Sequence, residues 1–222
     1  MRAFDDIKNA KHIVIQTDNL SFANANALYS YVLTLHKKVS LVAIEQIDEK
    51  FSFLPWFTRV RETVPKQADC IIEAKPDATE LYFALKQEGV SINPKMATAL
   101  FGALLEFTQG FSNAKCTGTA FAVAAELIEL KADQFTCKEF LQRREPLSLF
   151  RLKSILYKKM LQSDNAQVMN MYVSDEDLKS SGARLKDAEE IMKEVLKTVH
   201  VKEVRLYKSD DNNKILKSIK EI

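Results

Sequence analysis

The sequence predicts an α/β fold: a mainly parallel sheet flanked by helices, then a linker helix and a small α/β domain. Three observations predict it. Residues 11–44 (KHIVIQTDNLSFANANALYSYVLTLHKKVSLVAI) read as strand, loop, helix and strand. Residues 93–107 form an almost continuously apolar helix, which marks the centre of a domain. Residues 167–207 repeat a strand, helix and strand on a smaller scale.

Residues Phe4 to Ala10 lead helically into the first strand, where Ile13, Val14 and Ile15 are β-branched and suit burial on both faces. Ala25, Ala27, Leu28, Tyr31, Val32 and Leu35 recur at helical spacing, and Val39, Leu41, Val42 and Ile44 make a second buried strand. A parallel pair joined by a helix is right-handed, and ligands of open α/β sheets gather beyond the carboxyl ends of the strands. Function is therefore sought in the loop over 17–26. The aromatic segment FSFLPWF (51–57) is expected to plug one edge of the core, although Trp56 could mark a ligand surface. Pro65 precedes a third strand over 68–74, centred on Cys70, Ile71 and Ile72. A helix over 78–88 follows, with Leu81, Phe83, Ala84 and Leu85 toward its inner side and Gly89 just past its end. Asn93 caps the next helix and Pro94 occupies its first turn. A polar loop over 108–118 leads to an alanine-rich helix over 119–130.

From Arg143 the character changes. RREPLSLFRLKSILYKKML is basic and amphipathic, with Leu149, Leu152, Ile155, Leu156 and Met160 in one stripe. It reads as a connecting helix with a solvated basic face. Strands over 167–173 and 201–207 then flank a helix over 185–199, and residues 214–222 are either a helix or an edge strand. The expected division is a domain over 1–145, a linker helix over 146–165 and a small domain over 166–222.

Composition narrows the function classes. With 46% hydrophobic and 28% charged residues among 222, the chain can bury a sizeable core. No apolar run reaches the roughly 20 residues of a membrane helix. The start, MRAFDDIKNAKH, lacks the apolar region of a signal peptide, so a cytoplasmic protein with no membrane partner is expected. Cys70, Cys116 and Cys137 show no C-x-x-C spacing, which argues against a zinc site or a disulfide framework. A net charge of +2 is too mild to imply nucleic-acid binding by itself. Five glycines, none adjacent to another, form no phosphate cradle, and no G-x-S-x-G or P-loop pattern occurs.

Four phrases resemble the DHH phosphoesterase family, especially its nanoRNase and 3′-phosphoadenosine-phosphatase branch. HIVIQT with ALYSYVLTLHKKVSLV is similar to that family's first strand, helix and second strand. ATELYFALKQEGVSINPKMATALFGALLEFTQGFSN resembles its central stretch, and AAELIELKADQFTCKEFL the helix that follows. NMYVSDEDLKSSGARLKDAEEIMKEVL with VKEVRLY resembles the start of its C-terminal substrate-binding domain, DHHA1. The resemblance spans roughly residues 11–207 and lies in order and pattern, not in the functional motifs.

The resemblance implies two Mn²⁺ or similar ions, held by His and Asp and activating water against a phosphoester. The first motif, H-x-N-P-D-G-D-A, falls on the loop where Asp18 stands near the His, Phe22 on one Asp and Asn24 on the other. Glu73 approximates the Asp that ends the third strand, and Glu106 occupies or neighbours the Asp of Asp-Thr-Gly. Asp-His-His has no counterpart. The glycine-rich GGGH element has none before Ile222, so a truncated DHHA1-like domain is expected. A dinuclear site needs about seven or eight protein donors, with imidazole among them. Here the cleft candidates are Asp18, Asn24, Glu73 and Glu106, and His12, His36 and His200 are expected at surfaces or helix ends. The leading expectation is a catalytically degenerate relative with no cofactor, whose inter-domain cleft would hold a nucleotide, an oligonucleotide or a protein partner. Arg143, Arg144, Arg151 and Lys153 are its phosphate-contact candidates. The alternatives are an active phosphoesterase with Mn or Mg on Asp18, Glu73 and Glu106, and a structural assembly partner. A homodimer is compatible with each.

Overall fold

A β-branched strand and a helix with no solvated side organise the first part of the chain. The structure, a computed structural model, describes residues 2–143, 145–211 and 214–221. It divides into two compact units, Met1–Arg144 and Glu145–Ile222. In the first, α1 (Arg2–Asn9) precedes β1 (His12–Thr17), α2 (Phe22–Thr34) and β2 (Lys38–Ala43). Two residues of β3 (Val60–Arg61) and four of β4 (Cys70–Glu73) complete a parallel sheet in the order β3-β2-β1-β4. β1 is thus central, with β2 and β4 on its two sides.

Helix α2 is buried continuously from Phe22 to Val32, Asn24, Asn26 and Ser30 included, more fully than its apolar spacing alone implies. It begins at Phe22, so the loop expected over 17–26 is shorter by half. Helices α3 (Ala78–Gln87), α4 (Pro94–Phe107), α5 (Gly118–Glu129) and α6 (Gln134–Lys138) follow. The Asn93 carboxamide accepts from the Met96 N–H at 3.0 Å, so the capping expected of Asn93-Pro94 is what starts α4.

Two expectations are corrected here. The inner face of α3 is Ala78, Tyr82 and Leu85, and Phe83 stays 42% exposed. Tyr82 lies on the helical face of Ala78 and Leu85, and its hydroxyl donates to the Glu126 carboxylate on α5. His12 is not a surface residue: it lies within β1, is buried, and its Nε2 sits 3.0 Å from the Ser40 hydroxyl. The backbone there is held by Asp69, which accepts from the N–H groups of Lys11 and His12 at 2.9 and 2.8 Å.

In the second unit, α7 (Leu147–Lys159) is followed by β5 (Leu161–Ser163), β6 (Val168–Val173), α8 (Asp175–Ser181), α9 (Leu185–Leu196), β7 (Glu203–Lys208) and β8 (Lys214–Lys220). The sheet order is β5-β6-β7-β8, with β6 and β7 parallel and both outer pairs antiparallel. The last segment is therefore a strand. The helix expected as a connector puts Leu152 and Leu156 into this unit's core with Met171, Ile191, Met192 and Val204. Among the described residues no helix is long and apolar enough to cross a membrane.

Glu203 on β7 accepts from Arg205 Nε at 2.6 Å and Nη2 at 3.2 Å, and from the Ser218 hydroxyl at 2.8 Å. These donors draw its carboxyl down to about 2 from an ordinary 4.5. A depressed carboxyl contributes stability above its unfolded pKa and loses it as pH falls toward the folded value. The second unit is therefore expected to lose stability as pH falls from about 4.5 to about 2. In Glu203→Gln that slope should flatten, which chemical denaturation across this range measures.

Candidate functional site

The carboxyl ends of β1 and β4 mark the switch point of the first sheet, since the chain leaves β1 toward β2 on one side and β4 lies on the other. Four sequence candidates bear on this crevice. Asp18 lies in the turn from β1 to α2, where its Oδ1 accepts from the Ser21 N–H at 2.9 Å and the Ser21 hydroxyl at 2.7 Å. It is the acceptor that closes this turn, at the helix end whose dipole favours a carboxylate. Asn24 is buried, and its Nδ2 donates to the Lys75 carbonyl at 2.8 Å, joining α2 to the end of β4. Its Oδ1 is buried without a hydrogen-bond partner among the described residues. Glu73 ends β4 level with Gln16 of β1 and is exposed. Glu106, near the end of α4, is ion-paired with Lys50.

Phe22 decides what this crevice is. It is fully buried, with its ring centre 5.3 Å from that of Phe51 and 6.1 Å from that of Phe57. Both partners belong to FSFLPWF, which forms short 3-10 turns at Glu49–Phe51 and Phe57–Arg59. Phe51 and Leu54 are buried in the core. Trp56 anchors the segment to α2: its indole N–H donates to the Ser30 hydroxyl at 2.7 Å and its backbone N–H to Asn26 Oδ1 at 3.1 Å. Tyr29 packs on the same indole at 5.0 Å. The segment plugs the core, and the plug runs up to the start of α2.

A divalent ion does not fit this donor set. Asp18 is committed to Ser21 and Glu106 to Lys50, and Phe22 presents an apolar ring where an anionic donor is required. His12 is bonded to Ser40 and does not supply the missing imidazole. Among the described residues no three His, Cys, Asp or Glu side chains are grouped so as to hold an ion. Lys50, which pairs with Glu106, was not anticipated from sequence, because the two are 56 positions apart.

The basic candidates fare differently from one another. Arg144 and the side chain of Arg143 lie outside the described residues. Arg151 is exposed on α7. Lys153 is 14% exposed and salt-bridged to Glu145 at 2.7 Å and Glu194 at 2.6 Å. Burial works against its charge, but the two carboxylates outweigh it and hold its pKa above the ordinary lysine value. Its ammonium is thus engaged within the second unit.

No family model and no curated protein matches the chain. Among solved structures, an exopolyphosphatase-related protein from Bacteroides fragilis aligns with a TM-score of 0.76, over 96% of this chain and 79% of that one. The fold is shared. At 11% identity that likeness shows the α/β fold and nothing of the chemistry. A candidate family II inorganic pyrophosphatase from Methanococcus jannaschii aligns over 89% of this chain and 83% of that one, at 17% identity and a TM-score of 0.44, too loose to argue from.

Removing the Phe22 ring leaves a cavity and lost contacts, at a cost of about 3–5 kcal/mol for Phe→Ala in a core. Phe22→Asp, which places a carboxylate in that space, is expected to cost at least as much, read as a lower urea midpoint that Mn²⁺ does not restore. A stable Phe22→Asp protein whose midpoint rises with Mn²⁺ would contradict the packing assigned to Phe22.

Proposed function

We propose that the chain is a catalytically degenerate DHH phosphoesterase-like protein that works by binding and not by hydrolysis. One observation carries the reading: the buried Phe22–Phe51–Phe57 cluster at the start of α2, where the resemblance places a metal-ligating carboxylate. A two-metal phosphoesterase needs carboxylates and imidazoles around an ion-sized, hydrated space. An aromatic core excludes water and offers no lone pair in the plane of a ligand. The likeness to an exopolyphosphatase-related protein supports the fold from which such a protein would descend. The unit over 145–222 is read as a DHHA1-like domain. A nucleotide, oligonucleotide or protein partner is the proposed class of ligand, and the first unit supplies a rigid support for it.

Calorimetric titration with Mn²⁺ at near-neutral pH, alongside a hydrolysis assay on short oligonucleotides, tests the proposal. No binding heat and no turnover are expected. A stoichiometric ion lost in Glu73→Ala or Glu106→Ala, together with turnover, would replace the proposal with an active phosphoesterase of unusual ligation.

A further inference from the structure

Helix α4 (PKMATALFGALLEF) carries two charged residues, Lys95 near its start and Glu106 near its end, and nine of its 14 residues are buried. The Glu106 side chain is only 19% exposed. A carboxylate so placed is costly unless a positive charge and hydrogen-bond donors meet it. Lys50 meets it. This lysine comes from the 3-10 turn Glu49–Phe51, its ammonium donates to the Glu106 carboxylate, and its Nζ stands 5.0 Å from the centre of the Phe51 ring. The Phe51 ring packs in turn on Phe22. Carboxylate, ammonium and the two rings thus form one connected unit across α4, the 3-10 turn and α2.

We infer that Lys50 is a built-in counter-ion: it supplies from within the chain the positive charge that the half-buried Glu106 requires, and makes the crevice independent of any bound cation. The geometry suits this role. The lysine ammonium is a compact point charge on a flexible stem, and here the stem enters beside the aromatic plug while the head reaches the carboxylate. A cation over an aromatic face gains a further electrostatic attraction, within about 6 Å of the ring centre. Because the charge is tethered, it is present whatever the ionic composition of the solvent, which a diffusible ion is not. The inference rests on reading the crevice as one that holds no metal.

Thermal melting of the full chain tests it. Lys50→Met should lower the Tm by about 2–8 °C, the shift expected for one or two kcal/mol in a chain of this size. Adding Glu106→Gln in the same chain should recover most of that loss, because no charge is then left unpaired. Lys50→Arg should keep a Tm close to that of the wild type, and Mn²⁺ should not move the wild-type Tm. A Lys50→Met loss left unchanged by Glu106→Gln would mean that the ammonium acts on the Phe51 ring and not on Glu106, overturning the counter-ion and leaving the proposed function standing. A wild-type Tm that rises with Mn²⁺ would overturn the proposed function, and this inference with it.

Discussion

The packing of Phe22 against Phe51 and Phe57 is the constraint on which the first unit depends. It joins the first turn of α2 to the segment that follows β2. A ring with zero exposure at a helix start forces the rest of the local design. The turn before it must be short and self-satisfied, which Asp18 and Ser21 achieve. Polar groups on the buried helix need partners inside the protein, and Ser30 and Asn26 find them in Trp56.

Much of this fold was legible in the sequence. Helix α4 is apolar on nearly every side, helix α2 repeats apolar residues at helical spacing, and β1 is β-branched. The capping of α4 by Asn93 was equally plain. The inner face of helix α3 was not, because Tyr82, Phe83 and Leu85 are all apolar by composition. The partner of the Tyr82 hydroxyl is Glu126, 44 positions away. His12 follows a lysine and looks like a surface residue, and its partner Ser40 is 28 positions distant. The helix α7 reads as a solvated connector from its charges, yet Lys153 and Lys159 are each salt-bridged within the second unit, to Glu194 and to Asp177.

The candidate site was legible as a set of substitutions and not as an arrangement. Sequence alone places Phe22 where an anion is expected, but not that the ring is met by two others. It places Glu106 near a metal-ligand position, but not that Lys50 answers it. Side chains that become neighbours only through the sheet's crossovers leave no local signal, and pairings of that kind decide what the crevice does.

Amide hydrogen exchange over residues 22–32 and 51–57, with and without Mn²⁺, tests the central claim most directly. A core that fills the crevice opens only through large unfolding events, so exchange in both stretches should be slow and unchanged by the ion. Fast exchange that Mn²⁺ slows would mean an open loop awaiting a metal, and would contradict the account.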